Sequence, residues 1–400
     1  MSSFALHCRV CEEVAPPAPT PACARCDGPT DIAYDWAHLG EAVTRATILG
    51  GPQSMWRYRG LLPIEGAVVD GPGWTPLVRV ERLSDALGVE LLLKLESANP
   101  THSFKDRVAA VARAVASEHG IGTLCCSSTG NLGDAVAAAG AASSLETIIL
   151  APRGETAVGA IAHACGARVI VVDGTYDDCR RLELELARLF PWGFLASSLH
   201  PFAVEGVKTI SYEIAEQLDW SLPDAVVCAA GSGALVSKLA QGFSELHLAS
   251  LVEGEAPQMV AVQSEGCAPI ASAFADNRPI SRVRPETTVD AIAIGDPDYG
   301  DLAIGAARSS GGTVVAVPED DALEDAAFFA RMTGIVADTA TGVAFTGLLQ
   351  SIRAGTIEEG ARVVLVVTGT GLKESAPAPS PADVVPPDVG VILTRLGLRS

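Results

Sequence analysis

VELLLKLESANPTHSFKDRVAAVARAVASEHGIGTLCCSSTGNLGDA, residues 89–135, sets out the fold in miniature. VELLLKLE (89–96) is a short apolar run with the length of a buried strand. FKDRVAAVARAVASEHG then recurs at helical spacing, and TLCCSS (123–128) is a second buried-strand run. A glycine turn follows and leads into the Ala-rich helical stretch LGDAVAAAGAAS. Short apolar strands between helices indicate an α/β protein with mainly parallel sheets.

The same alternation continues outward. Further strands are expected at ETIILAP (146–152), ARVIVVD (167–173), AVVCAAG (225–231), QMVAVQS (258–264), TVVAVP (313–318) and RVVLVVTG (362–369). Helices are expected at TAVGAIAHACG, KTISYEIAEQL, ALVSKLAQGFSEL and DALEDAAFFARMTG. The pattern starts near residue 77. Residues 1–34 read as a separate segment, the stretch to about 75 as irregular with some helix, and residues 375–400 as a Pro-rich tail.

The chain has 400 residues and is 48% hydrophobic, enough for a large core. No apolar run reaches the roughly 18–20 residues of a membrane helix. The amino end, MSSFALHCRVCEE, lacks a basic stretch followed by an apolar one, so no secretory signal is read there. A net charge of −20 repels phosphate backbones, which argues against a nucleic-acid partner. Ten cysteines in such a chain suggest reduced thiols and a cytoplasmic location. Four of them, Cys8, Cys11, Cys23 and Cys26, form two CxxC pairs with the spacing of a tetrahedral thiolate zinc site. Four thiolates leave no open position, so the expected Zn2+ is structural. An unmetallated or redox-active quartet is the other reading.

Four short stretches carry possible chemistry. In NPTHSFKDR (99–107), Lys105 opens a helix, and burial would lower its pKa and make the amine nucleophilic. A solvent-facing lysine beside Asp106 and Arg107 fits the string as well. CSSTGNLGDA (126–135) and CAAGSGALVSK (228–238) each run a strand through small residues into a helix start, where free N–H groups favour an anion. Ordinary capped helices and tight turns look the same. In VVTGTGLKE (366–374), Thr368 ends a strand where a hydroxyl could face a ring nitrogen.

Together, in this order, the four resemble the threonine synthase family of fold-type-II pyridoxal-phosphate enzymes. NPTHSFKDR is similar to the family's NPTGSFKDR, and SSTGN, HPFAVEGVKT and TGTGLK follow as expected. The resemblance spans residues 1 to 374 and includes an amino-terminal ribbon followed by CDGPTDIAYD. It implies a tryptophan synthase β-like fold, with two interleaved α/β domains in residues 35–374, the smaller at about 110–210. It implies that Lys105 forms the Schiff base with pyridoxal 5′-phosphate and that Asn131 bonds the ring hydroxyl. Gly231, Ser232, Gly233, Ala234 and Leu235 would hold the cofactor phosphate, and Thr368 would face the pyridine nitrogen. Ser128, Thr129 and Gly130 would hold the carboxylate of a small amino-acid substrate. A homodimer is implied by analogy.

The departures from the family lie on the substrate side. His102 stands for a glycine, and it is a candidate substrate donor or acid–base group. Val108 stands for another glycine, Leu132 for a threonine, and Ala203 for an arginine that usually grips substrate phosphate. Asp338-Thr339-Ala340-Thr341 replaces Glu-Pro-Ala-Ser. The expected activity is therefore β- or γ-elimination or replacement on a small, possibly O-phosphorylated, amino acid. Serine/threonine dehydration and cysteine- or cysteate-type synthesis are the alternatives within the fold type. An inactive binding protein is the alternative outside enzymes.

Overall fold

A computed structural model describes residues 3–66, 68, 71–153 and 160–374. The chain begins with β1 (Phe4–Cys8), β2 (Val14–Ala15) and β3 (Thr30–Tyr34), an antiparallel sheet of order β2-β1-β3. Period-two alternation turns Phe4, Leu6 and Cys8 inward. Phe4, Leu6 and Ile32 join the same core as Val111, Leu124 and Phe202. The amino-terminal segment thus shares a hydrophobic core with the body of the molecule.

In chain order the other strands are β4 (Leu77–Arg79), β5 (Glu90–Leu95), β6 (Thr123–Ser127), β7 (Glu146–Pro152), β8 (Arg168–Val172), β9 (Gly193–Phe194), β10 (Ala225–Ala229), β11 (Gln258–Ser264), β12 (Thr313–Val317) and β13 (Arg362–Val367). They form a six-stranded sheet, β12-β11-β10-β13-β5-β4, and a four-stranded one, β8-β7-β6-β9. All pairings are parallel except that of β4 with β5. Helices cover both faces of a parallel sheet, so its central strands need no polar face. Every residue of β6 and β10 is buried. At the edge, β8 is apolar in sequence yet leaves Ile170 and Val171 exposed.

β13 sits between β10 and β5, near the middle of the large sheet. The carboxyl ends of β5, β10 and β13 feed the loop 96–104, the turn 230–233 and Thr368, and β6 ends at Ser127 from the smaller sheet. Ligand crevices of open parallel sheets lie outside such ends. The helices Tyr176–Leu186, Gly300–Ser309 and Thr339–Arg353 add to those read from sequence. The last is capped by Asp338, whose side chain accepts from the Thr341 N–H at 2.9 Å. Within TAVGAIAHACG the helix Ala160–Ala164 is present, and residues 156–159 lie outside the described residues, as does the Pro-rich tail. Among the described residues no helix is long and apolar enough to cross a membrane.

Candidate active site

Lys105 owes its position to its neighbours. Thr101 donates its N–H and hydroxyl to the Asp106 carboxylate, both at 2.8 Å, which closes the loop onto the helix Lys105–Glu118. Arg107 is fully buried, with Nε 2.7 Å from Glu96 Oε2 and Nη2 2.8 Å from Glu213 Oε2. Lys94 Nζ donates to the same Glu213 at 2.7 Å. Asp106 and Arg107 are therefore anchors inside the protein, not surface charges. The loop is also stitched to the end of β13: Phe104 N–H donates to Thr368 O at 3.1 Å, and Thr370 N–H to His102 O at 3.1 Å. The Lys105 amine lies 4.6 Å from the Phe104 ring centroid. Burial pulls its pKa down to about 8, with Asp298 opposing the shift.

At the end of β6, Ser128 Oγ accepts from the N–H groups of Gly130 (3.0 Å) and Gly133 (2.8 Å). Its hydroxyl shapes the turn that starts the helix Asn131–Ala141. At the end of β10, Gly233 has φ +86°, a left-handed conformation that favours glycine. A Cβ there would lie 2.6 Å from Tyr299 O. At the end of β13, Thr368 Oγ1 bonds both oxygens of the buried Asp338.

These ends converge. Lys105, Ser128, Thr129, Gly130, Asn131, Gly231, Ser232, Gly233, Ala234, Leu235 and Thr368 all line one cavity of about 350 Å³. His102 does not. Its φ of +62° explains why glycine suits that position. Its ring is exposed, with Nδ1 3.0 Å from Ser97 O. The loop twist that places Lys105 turns His102 outward, away from the residues that line the cavity.

Sequence reading missed several groups. Lys373 Nζ donates to Thr101 O at 2.7 Å and lines the cavity beside Glu374, whose carboxyl is pushed up to about 7 by burial and by Asp338. A smaller chamber of about 80 Å³ shares Lys105 with the main one. Buried Ala203 lines it, together with Arg180, His200, Asp296 and Asp298. Asp298 Oδ2 accepts from Arg180 Nη2 at 2.9 Å. Burial lowers the His200 pKa, with Asp298 opposing. His200 stands in the quoted HPFAVEGVKT, but nothing in the string links it to Arg180 or Asp298.

The cysteine quartet is assembled. One ligand atom from each of Cys8, Cys11, Cys23 and Cys26 lies within 4.8 Å of the others, and all four thiols are free. The Sγ pairs Cys8–Cys26 and Cys11–Cys23 are 3.5 and 3.7 Å apart. Backbone N–H groups of Cys11 and Val10 draw the Cys8 thiol down to about 6.

A half-buried lysine at a helix start, a glycine turn opening a second helix and a strand-end hydroxyl are the features of a pyridoxal-phosphate dependent enzyme. The family of that description matches residues 68–369. The chain belongs, within it, to the threonine synthase family. It is 36% identical to threonine synthase of Methanocaldococcus jannaschii, over 87% of this chain and 88% of that protein. It is 34% identical to threonine synthase of Mycobacterium tuberculosis, over 82% and 90% respectively. Among solved structures, the processed form of threonine deaminase isoform 2 from Solanum lycopersicum has a TM-score of 0.65 at 21% identity, covering 84% of this chain and 85% of that one. Maize serine racemase has a TM-score of 0.63 at 17% identity, covering 81% and 91%. Both share the fold.

Proposed function

We propose that Lys105 holds the aldehyde of pyridoxal 5′-phosphate and moves the α-proton of a small amino acid in a β- or γ-elimination or replacement. When bound, the cofactor supplies an electron sink at the α-carbon. The chain supplies the rest. With its pKa at about 8, Lys105 has a neutral, nucleophilic fraction near pH 7 and a protonated fraction that can return a proton. Gly231 to Leu235 present the N–H groups of a helix start, which suits a phosphate. Asn131 serves the ring hydroxyl and Thr368 the ring nitrogen. The substrate carboxylate goes to the turn Ser128–Gly130, through the N–H and hydroxyl of Thr129, because the Ser128 hydroxyl and the N–H groups of Ser128 and Gly130 already hold the turn.

The observation that carries this reading is the meeting of Lys105, Asn131, the Gly231–Leu235 turn and Thr368 around one cavity. Purified protein should show the absorption band of lysine-bound cofactor, and Lys105→Ala should abolish it. A band that persists in that variant would refute the lysine assignment.

A second reading concerns the substrate. The chamber beside Lys105 is lined by Ala203, and three carboxyl groups, Glu183, Asp296 and Asp298, outnumber Arg180 and Lys105 there. That balance disfavours a phosphate dianion and supports an amino acid with an uncharged leaving group. Efficient conversion of O-phospho-L-homoserine to threonine would overturn this; ammonia release or replacement from L-serine or a related amino acid would support it. We assign Zn2+ as a structural ion of the cysteine quartet and a homodimer as the working form, which metal analysis and light scattering test.

A further inference from the structure

Arg9 stands between Cys8 and Cys11, but its side chain leaves the cysteine quartet. Nη1 donates to the carbonyl oxygen of Asp298 at 3.2 Å. Nε lies 3.4 Å from Asp31 Oδ2, and the guanidinium carbon 4.9 Å from the centroid of the Tyr299 ring. The Tyr299 hydroxyl closes the loop by donating to Asp31 Oδ1 at 3.0 Å. Asp31 belongs to β3 and Arg9 to the turn after β1, so the amino-terminal sheet grips one dipeptide, Asp298-Tyr299.

That dipeptide reaches two parts of the site. Through its main chain, Tyr299 donates its N–H to Ser232 O at 3.0 Å, and its carbonyl oxygen occupies the space a Cβ at Gly233 would need. Through its side chain, Asp298 pairs with Arg180 at 2.9 Å and lies 3.5 Å from His200 Nε2, in the chamber it shares with Lys105. The Tyr299 ring also packs on His200, with centroids 5.4 Å apart.

We infer that Arg9 is a positioning residue of the active site: by holding Asp298 and Tyr299 it fixes the glycine turn at 231–233 and the carboxylate opposite Lys105. The cysteine-bearing segment then braces the wall of the catalytic cavity from behind. The inference rests on the reading that Gly231–Leu235 hold the cofactor phosphate.

The test is direct binding of pyridoxal 5′-phosphate to the full chain, followed by absorbance, with melting temperature and cysteine-bound metal measured in parallel. Arg9→Ala should weaken cofactor binding by about tenfold, the scale of one charge-assisted hydrogen bond. Arg9→Lys keeps a cation and a donor and should stay within about threefold of the parent. Both variants should keep the parent's metal content. Parent-like cofactor affinity in Arg9→Ala, or equal loss in Arg9→Lys, would overturn the inference. If Arg9→Ala fails to fold or loses its metal, Arg9→Met decides: it keeps an unbranched stem of similar reach beside the cysteines and removes every donor to Asp298 and Asp31. It should bind the cofactor at least about threefold more weakly, and parent-like affinity there would refute the brace. A parent protein that binds no cofactor would instead refute the reading of the site.

Discussion

Thr368 Oγ1 lies 2.9 and 3.0 Å from the two carboxylate oxygens of Asp338. Thr341 Oγ1 also donates to Asp338, and lies 3.2 Å from Thr368 Oγ1. Burial pushes the Asp338 carboxyl upward, and the bonds from Thr341 and Thr368 hold it down. A hydroxyl that donates to a carboxylate offers its oxygen as acceptor on the other side. The sequence suggests a lone neutral hydroxyl at Thr368; the structure places a carboxylate one hydrogen bond behind it. Asp338→Ala should cost about 1–2 kcal/mol in urea unfolding, through loss of the helix cap. Asp338→Asn keeps the cap within a few tenths of a kcal/mol but should slow turnover by about tenfold. A parent-like rate would make Asp338 a cap alone.

The Lys105 amine should capture pyridoxal 5′-phosphate faster as pH rises. Only the unprotonated amine attacks the aldehyde, and burial puts its pKa at about 8 rather than 10.5. The capture rate of cofactor-free protein, plotted against pH, should therefore bend near 8. A bend near 10 would show the amine to be solvated.

Arg107 should be among the least replaceable side chains. Arg107→Ala leaves Glu96 buried without its ion partner and Glu213 with Lys94 alone, at about 3–5 kcal/mol. Acid should reach the same network. Burial alone would raise the Glu213 pKa, but Arg107 and Lys94 outweigh it and hold the group at about 2. With the folded value below the unfolded 4.5, its stabilisation is complete above about 4.5 and is lost as pH falls towards 2. Urea midpoints measured between pH 5 and 2.5 should fall accordingly.

The quartet should hold one metal ion per chain, read by a colorimetric zinc assay after denaturation. Cys23→Ser should lower that content and the melting temperature together, because a structural thiolate site contributes folding energy. A metal-free parent with parent-like stability would make the quartet a thiol cluster only.

Much of this was legible in the string. Buried parallel strands are almost wholly apolar, so VELLLKLE, AVVCAAG and RVVLVVTG announced themselves. The cavity residues sit at strand ends, where glycine and hydroxyl residues interrupt those runs. The outward turn of His102 is not legible because a left-handed backbone angle is not written in a side chain. Arg180 and Asp298 were invisible because a 118-residue separation in sequence collapses to one ion pair only in three dimensions. The amino-terminal segment looked detached because its few apolar residues cannot make a core, yet Phe4, Leu6 and Ile32 borrow one.

The place of β13 has a consequence for how the molecule is made. Its Arg362 pairs with Glu90 of β5, so a strand from near the end of the chain completes the centre of a sheet begun near the start. Such long-range pairing is slow to form, since a large loop must close before any contact rewards it. Until β13 is released from the ribosome, the segment 96–104 has no Thr368 or Thr370 to tie to. A nascent chain carrying Lys105 but not β13 lacks Thr368, Thr370, Lys373 and Glu374, so the cavity wall is completed only after that strand is made.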